Sequence, residues 1–302
     1  MPEGDSIHTL ALRLSHVLVG RSVASFTARR LPDDVTRSLV GRRVVEVRAK
    51  GKNLLIVFDD GRVLLAHLRM QGRIFVLSGP RAVVAAERFP PEMRLVVVDT
   101  VTDASIARAV PKATIVGHRV PVVRLLTAVQ VRRALASLGP DLVDDDYDEA
   151  EAIRRLRALG TCPVAEAILV QRAVAGIGNV YKSEVLFLEG LDPRAPTASV
   201  GDDALRAVLR RAHRLLRHNV RVGPRVTRPT AGGGTLWVYG RHGKPCFRCG
   251  ATIERFFQGS APGRSTYRCP ACQPSFAPKR EQAVESHGPF GETSEFEEKV
   301  PR

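Results

Sequence analysis

The pattern of apolar and polar positions divides the chain into a strand-rich first half and a helical second half. Apolar residues at helical spacing over 7–18 predict an opening helix, which Asp5 or Ser6 can cap and Gly20 can end. Short Val-, Leu- and Ile-rich stretches follow over 22–125, broken by Gly, Asp and Pro, and they predict a β-sandwich. The predicted strands are 43–48, 53–58, 62–68, 73–77, 94–99 and 114–117, with a hairpin turn at 60–61.

From about residue 128 the apolar period becomes helical. The predicted helical segments are 128–138, 153–159, 163–170, 180–189 and 202–219. The predicted fold class is therefore α+β and multidomain, with an N-terminal β-sandwich, a helical domain and a small C-terminal module. The expected boundaries are 2–125 for the sandwich, 126–222 for the helical domain, 223–236 for a Pro- and Gly-rich linker, 237–273 for the module and 274–302 for a disordered tail.

The charge balance indicates the kind of partner. Lys and Arg number 46 against 31 Asp and Glu, a formal net charge of +15. This excess favours a polyanionic partner, because each phosphate that a protein neutralises releases counterions. Nucleic acid is thus the default expectation, although GC-rich genomes and ribosomal proteins produce the same composition.

The sequence has no run of 18 apolar residues and no basic-then-apolar leader. We therefore expect an intracellular protein, cytoplasmic or nucleoid-associated, without a membrane partner. No motif predicts a small-molecule cofactor, and nothing predicts a dimer, so a monomer is expected.

Four of the five cysteines lie within 27 residues, as the pairs Cys246-x2-Cys249 and Cys269-x2-Cys272 separated by 19 residues. In a reducing compartment this spacing favours metal ligation, because two turns can offer four thiolates to one tetrahedral zinc ion. A segment of about 36 residues cannot bury enough surface to fold alone, so the metal should stabilise it. The expected Zn²⁺ is one structural ion without an open coordination position. Cys162 is left over and is interpreted as a small apolar residue.

Two further features each allow a functional and a structural interpretation. Arg264 lies where the second strand of a hairpin in this module would begin, and it is either a phosphate ligand or a solvated turn residue. The segment AGIGN at 175–179 precedes a predicted helix. Its glycines either let backbone amides approach a phosphate or form an ordinary turn between helices.

The amino terminus carries candidate chemistry. Met1 before Pro2 is commonly removed, which would expose a secondary amine with a pKa of about 7.7 to 8.0. Such an amine is partly neutral at cellular pH and can form an iminium with an aldehyde-like carbon. Glu3 beside it could move a proton to or from a sugar-ring oxygen. In an arbitrary protein the same residues would be a frayed terminus.

Together these features resemble the formamidopyrimidine-DNA glycosylase and endonuclease VIII family, and the matching motifs occur in family order over residues 2–273. They are MPEGD at the start, AKGKNLL at 49–55, HLRMQG at 67–72, VQRAVAGIGNVYKSEVLF at 170–187, LWVYGRHGKPC at 236–246 and GRSTYRCPACQ at 263–273. The resemblance implies an N-terminal β-sandwich, a helix-two-turn-helix domain and a zinc-finger β-hairpin, with damaged DNA in the cleft between them.

The resemblance also implies an activity, that of a bifunctional DNA glycosylase and AP lyase of base excision repair. Pro2 would attack C1′ of a flipped nucleoside and Glu3 would act as general acid. Lys52 would bind a phosphate beside the lesion. Asn179 and Arg264 would clamp the flanking phosphates, so that Arg264 serves both DNA binding and catalysis. The strand would then be cut by β,δ-elimination.

Met70 sits where the family often has a residue that fills the void left by the flipped base, although it could equally be a core residue of a strand. The sequence departs from the family pattern at Val170, where an acidic residue is common. Residues 99–121 lack the Asp-Pro-Arg-Arg-Phe-Gly loop of many formamidopyrimidine-type members. With MPEGD at the start, this points to the endonuclease VIII branch and to oxidised pyrimidines as substrates.

Three alternatives remain open on the sequence. A non-catalytic relative that binds damaged DNA would keep the basic charge but need not keep Pro2, Glu3 and Lys52 together, and all three are present. A ribosomal or RNA-binding protein with the same helical motif would not explain the amino terminus. A formamidopyrimidine-type glycosylase for oxidised purines is the alternative within the enzyme class.

Overall fold

The computed structural model describes residues 2–78, 92–99, 112–221, 223–229, 234–261 and 263–276. Helices α1 to α7 are Gly4–Leu18, Asp33–Arg37, Ala128–Leu135, Glu149–Arg157, Val164–Ala167, Asn179–Leu188 and Asp202–His218, with a 3-10 turn at Thr197–Ser199. Strands β1 to β10 are Ser22–Ala28, Val44–Lys50, Asn53–Phe58, Val63–His67, Arg73–Ser78, Met93–Val98, Ala113–His118, Val122–Leu126, Glu254–Gln258 and Arg264–Arg268.

The first half of the chain forms the predicted β-sandwich. One antiparallel sheet has the strand order β1-β6-β7-β5 and the other has the order β2-β3-β4-β8. Their inner faces pack together with one side of α1, and residues such as Leu14, Phe26 and Ile56 are buried between them. The six predicted strands all form. Strands β1 and β8, which the apolar pattern did not single out, complete the two edges.

Within the described residues, helix α3 packs against the sandwich and not against the core of the helical domain. Val131 packs with Leu55, Leu65 and Leu126 on the outer face of the second sheet, while the core of the helical domain begins at Leu142. The helical period after residue 128 therefore predicts the helix but not the surface against which it packs. The boundary at 125/126 stays a prediction.

Helix α6 is the buried centre of the helical domain. Nine of its ten residues are buried, so the helix has no exposed polar face, and Lys182, Ser183 and Glu184 lie inside the protein. Helix α7, in contrast, buries only one apolar side, with Leu205 and Leu209 among its core residues.

The C-terminal module is a two-stranded hairpin, β9 and β10, that packs on the end of α6 through Phe187. The described part of the predicted linker makes specific contacts, since Val226 N donates to Asn219 Oδ1 at 2.8 Å. The prediction of a disordered tail over 274–302 falls, beyond residue 276, outside the described residues. None of the helices in the described segments is long and apolar enough to span a bilayer.

Candidate active site and nucleic-acid interface

Glu3 lies at the contact between the sandwich and the helical domain and is fully buried. Its Oε1 accepts a hydrogen bond from Val180 N at 2.8 Å. Its Oε2 accepts from Gly178 N at 2.9 Å and from Tyr181 N at 3.4 Å. These N–H groups belong to the first turn of α6, where no helical partner exists and the helix dipole favours an anion. Glu3, which would be the second residue once Met1 is removed, is therefore bound to the start of α6, a helix that begins far along the sequence.

The glycines of the 175–179 turn allow this close approach. A Cβ atom on Gly178 would lie only 2.3 Å from Glu3 Cδ, and one on Gly4 would lie 2.9 Å from Gly176 Cα. The sequence left open whether these amides approach a phosphate or form an ordinary turn, and the anion that Gly178 N and its neighbours bind here is the Glu3 carboxylate.

Pro2 lines two neighbouring cavities of about 960 and 580 Å³. Cavities of this size can hold a small molecule or a nucleoside. The larger cavity is also lined by Met70, Phe75 and Arg119. The smaller lies between α1, β5 and the segment around Arg225. The amine of Pro2, if freed, would thus face space that a flipped nucleotide can enter.

Lys52 lies in the tight turn between β2 and β3, and its Nζ donates to the carbonyl of Ile177. Burial lowers the pKa of Lys52 to about 8, although the negative charge of Glu3 acts in the opposite direction. The positive charges of Arg264 and Arg225 lower this pKa further. These charged groups come from four distant parts of the chain and meet at one place.

Arg225 is a site residue that the sequence reasoning missed. Its guanidinium donates to both oxygens of Asp5 at 2.6 and 2.7 Å, and it lies 3.8 Å from Glu3 Oε1. It also stacks 4.8 Å from the ring centre of Tyr181, whose hydroxyl donates to Asp5 at 2.9 Å. Burial alone would lower the pKa of Arg225, but the bonds to Asp5 and the charge of Glu3 raise it. Arg225 has no periodic signal, since it lies in the predicted linker.

Asn179 and Arg264 come together at the first residues of β10. Asn179 Nδ2 donates to Ser265 O at 2.8 Å and to Ser265 Oγ at 3.1 Å, and its side chain is almost fully buried. Arg264, the preceding residue of the strand, is exposed. A phosphate bound by both residues would have to share or replace the bonds of Asn179 to Ser265.

The sequence reasoning also missed Lys182, which lies on α6 and binds the same strand, β10. Its buried Nζ donates to Ser265 O at 3.0 Å and to Thr266 Oγ1 at 2.8 Å. Burial and the charge of Arg264 lower the pKa of Lys182 to about 7, against the opposing charge of Glu3. Lys182 lies within the motif at 170–187, but the sequence does not show that this position of α6 is buried. Its role could have been predicted only if the packing of the helix were already known.

Glu184 binds the segment of chain that leads into the C-terminal module. Its carboxylate accepts from the backbone N–H groups of Trp237 at 2.8 Å, Val238 at 2.9 Å and Tyr239 at 2.8 Å, and from the hydroxyl of Thr227. One buried carboxylate on α6 thus orders the segment that leads into the hairpin.

Met70 lies in the turn after β4 and its side chain is 71% exposed. The alternative that Met70 is a core residue of a strand is therefore wrong. The backbone here is unusual, with Arg69 at a φ of 49°, and Arg69 N donates to His67 Nδ1 at 3.0 Å. Met70 faces the larger cavity together with Pro2.

The four cysteines of the two pairs come together with all Sγ atoms within 4.8 Å of one another. Cys249 Sγ lies 3.4 Å from Cys269 Sγ and 3.5 Å from Cys272 Sγ. Thiolates bound tetrahedrally at about 2.3 Å from a zinc ion lie about 3.8 Å apart, which falls within the range of Sγ–Sγ separations in this cluster, so the four cysteines fit such an ion after small shifts. Arg248 N also donates to Cys246 Sγ at 3.4 Å, a bond that suits a thiolate.

Comparisons with known proteins agree with this architecture. The family model described as "Formamidopyrimidine-DNA glycosylase N-terminal domain" matches residues 1–110, and the one described as "Formamidopyrimidine-DNA glycosylase H2TH domain" matches residues 138–230.

Relatives match along almost the whole chain. A Streptomyces coelicolor protein named Probable endonuclease 8 2 is 37% identical over 92% of this chain and 96% of its own. The Mycolicibacterium smegmatis DNA-(apurinic or apyrimidinic site) lyase Nei2 is 35% identical over 90% of this chain and 99% of its own. A solved structure of the Lactococcus lactis formamidopyrimidine-DNA glycosylase with abasic-site DNA has a TM-score of 0.70 at 24% identity, covering 90% of this chain and all of that one.

The fold and these relatives define the class of protein: a DNA glycosylase with AP lyase activity in base excision repair. The chain belongs to the formamidopyrimidine-DNA glycosylase and endonuclease VIII family.

Proposed function

We propose that Pro2, after removal of Met1, is the nucleophile of this glycosylase and lyase. The observation that carries the proposal is the fixed position of Glu3. Three backbone N–H groups of α6 hold its carboxylate, and the residue before it opens onto the two cavities. An amine next to a rigidly held carboxylate has both the attacking group and a proton carrier for one reaction.

The proposed reaction proceeds through a covalent intermediate between Pro2 and the sugar. The Pro2 nitrogen bonds to C1′ as the glycosidic bond breaks, and the base leaves with the bonding electron pair and takes a proton from water. The Glu3 carboxylate takes the proton that the Pro2 nitrogen loses and passes it to O4′ as the C1′–O4′ bond breaks, which leaves an iminium at C1′. Loss of a C2′ proton then breaks the C3′–O bond, and a second elimination breaks the C5′–O bond. Water finally hydrolyses the iminium and frees Pro2.

The cationic residues around Glu3 support the binding half of the proposal. Lys52, mostly protonated at neutral pH with a pKa of about 8, would bind a phosphate beside the lesion. Arg264 would bind a flanking phosphate from its exposed position, and Asn179 would join it by exchanging its bonds to Ser265. Met70, exposed beside Pro2, would fill the void that the flipped base leaves.

Zinc is the proposed ion of the four-cysteine cluster. Two Cys-x2-Cys pairs and four Sγ atoms within 4.8 Å of one another are the ligand set of a structural zinc site. When bound, the ion would supply folding energy to the hairpin and no chemistry to the reaction, because four thiolates leave no open position.

Oxidised pyrimidines are the proposed substrates. This rests on the MPEGD start and on relatives whose names contain endonuclease 8, such as the Streptomyces coelicolor protein. Relatives named formamidopyrimidine-DNA glycosylase, such as that of Synechococcus elongatus at 32% identity, keep oxidised purines as the alternative.

Borohydride trapping tests the proposal. Purified protein, shown by mass spectrometry to begin at Pro2, is incubated with duplexes that carry an oxidised pyrimidine, an oxidised purine or an abasic site. A reduced adduct that maps to Pro2 and is absent in Pro2→Gly would support the nucleophile, and the lesion trapped fastest identifies the substrate class. Tight binding without any adduct would instead favour a non-catalytic relative.

A further inference from the structure

The hairpin of β9 and β10 exposes a large aromatic side chain. Phe257 is 65% exposed, and Arg255 on the same strand is also exposed. The strand register pairs Phe257 with Ser265 and Arg255 with Tyr267, so these residues share one face of the hairpin. We call this the outer face, and it carries one cation and no carboxylate.

The opposite face of the hairpin is used by packing except at its tip, where Arg264 is exposed. Arg194 stacks 3.7 Å from the ring centre of Phe256, and Gln258 Nε2 donates to Pro193 O at 3.2 Å. Arg268 contacts Asp192 at 3.2 Å. The hairpin is therefore held firmly against the helical domain, and the exposure of Phe257 is a consequence of its orientation and not of a frayed strand.

The outer face adjoins the residues proposed to clamp phosphates. Ser265, the partner of Phe257, accepts hydrogen bonds from Asn179 and directly follows Arg264. Directly opposed residues of antiparallel strands have Cα atoms only about 5 Å apart. Arg264 pairs with Gln258, so its side chain leaves the opposite face, and Asn179 is the clamp residue that reaches the outer face through Ser265. A strand of DNA with one phosphate at Asn179 would thus pass beside Phe257 with its next nucleotide.

The chemistry of the outer face selects its occupant. The Arg255 guanidinium lies 5.7 Å from the ring centre of Phe257, so the aromatic surface is next to a cation. Aromatic rings interleaved with arginine bind nucleic acid strands, because bases and sugars pack on the ring while phosphates pair with the guanidinium. Within the described part of the chain, Tyr239 covers Tyr267 at the base of this face, whereas Phe257 near the hairpin tip is left open.

We propose that Arg255 and Phe257 form a second DNA-contacting surface beyond the phosphate clamp. Phe257 packs on the sugar or base of the nucleotide adjoining the clamped phosphate, and Arg255 pairs with the phosphate of that nucleotide. The proposal rests on the proposed function for the position of the DNA strand, but it requires neither Pro2 chemistry nor a particular lesion.

Equilibrium binding tests this surface with full-length, zinc-loaded protein and a duplex that carries an uncleavable abasic analogue. Phe257→Ala should weaken binding about tenfold with an unchanged salt dependence, since the ring carries no charge. Phe257→Trp should restore the affinity. Arg255→Gln should lower the slope of log K against log salt by about one. Phe276→Ala is the matched control, because Phe276 is a partly exposed aromatic that lies near Asp192 and away from the outer face, and it should bind as wild type.

A fluorescent base analogue placed at successive positions identifies the contacted nucleotide, whose signal should change between wild type and Phe257→Ala at one position only. Affinity within twofold of wild type for Phe257→Ala, or equal loss in Phe276→Ala, would overturn the proposal. Borohydride trapping at saturating DNA separates the two hypotheses. An adduct with Phe257→Ala at high DNA concentration is expected, whereas a wild type that binds DNA through Phe257 but forms no adduct would contradict only the proposed function.

Discussion

At the scale of single residues, the site depends on buried charges whose partners are backbone groups. Glu3 accepts from three N–H groups of α6, and Glu184 accepts from three N–H groups that lead into the hairpin. Such charge-assisted bonds hold a carboxylate in one orientation at low entropic cost, which suits a group that must meet a reacting sugar.

Gly178→Ala should disable the enzyme by displacing Glu3. The added Cβ would lie 2.3 Å from Glu3 Cδ, and overpacking of this kind costs about 1 to 3 kcal/mol. We expect a large loss of base excision in single-turnover assays, with a lower melting temperature. Gly201→Ala is the control, because Gly201 also precedes a helix but a Cβ there has nothing within 4 Å. Equal activity of the two variants would show that Glu3 tolerates displacement.

DNA affinity should fall above about pH 8 because Lys52 loses its proton there. The protonated amine binds phosphate, and its pKa in the free protein is lowered to about 8, so each further pH unit reduces affinity by up to about tenfold. Lys52→Arg keeps its charge at these pH values and should flatten the profile between pH 8 and 9.5. Anisotropy titrations with an uncleavable abasic analogue measure both. The same slope in both proteins would assign the titration to another group.

At the scale of elements, α6 organises the site. Its first turn holds Glu3, Lys182 in its middle supports β10, and Glu184 orders the segment before β9. The helix is buried on nearly all sides, so these polar residues contact the sandwich, the hairpin and the linker segment at once. This one helix therefore couples the predicted catalytic terminus to the predicted phosphate clamp.

Lys182→Met should change how stability depends on pH. The pKa of Lys182 is lowered to about 7 in the folded protein but is 10.5 when unfolded, so the unfolded chain binds the extra proton between these values. The free energy of unfolding therefore rises with pH in this window, by up to about 1.4 kcal/mol per unit. Urea unfolding from pH 5 to 10 should show this rise reduced in Lys182→Met, with equal slopes in the two proteins below pH 6. An unchanged slope above pH 7 would mean that Lys182 stays charged when folded.

At the scale of the whole molecule, the charged centre forms only where three modules meet. Asp5 and Glu3 come from the amino terminus, Arg225 from the segment after the helical domain, and Arg264 from the hairpin. The excess positive charge of the chain, +15, suits a polyanionic partner, and in the proposed function these four residues set where its phosphates and its reacting sugar lie.

Removal of zinc should detach the hairpin without unfolding the sandwich. The sandwich has its own core, whereas the hairpin cluster is small and includes Cys246 and Cys269. Cys269→Ser or a chelator should release about one equivalent of zinc and weaken DNA binding by at least about tenfold, because Arg264 loses its support. Cys162→Ser, outside the cluster, is the control and should keep its zinc. Full metal content in Cys269→Ser would contradict a four-thiolate site.

Local pattern was sufficient for much of this protein. The alternation of apolar residues predicted the strands of the sandwich, and the two Cys-x2-Cys pairs predicted the metal cluster, because strand faces and ligand turns depend on neighbours close in sequence. The motifs also placed Pro2, Glu3 and Lys52 in the site region.

Patterns local to the sequence were thus enough to predict the order of the modules, the family and the four cysteines that could hold a metal ion. The packing of the folded chain, in contrast, fixes Glu3 at the first turn of α6, leaves Met70 exposed, and brings Arg225 and Lys182 to the proposed site residues. The bonds of Glu3, Arg225 and Lys182 join segments more than 80 residues apart, for which a local pattern carries no signal. A buried charge is identified only when the fold shows what surrounds it.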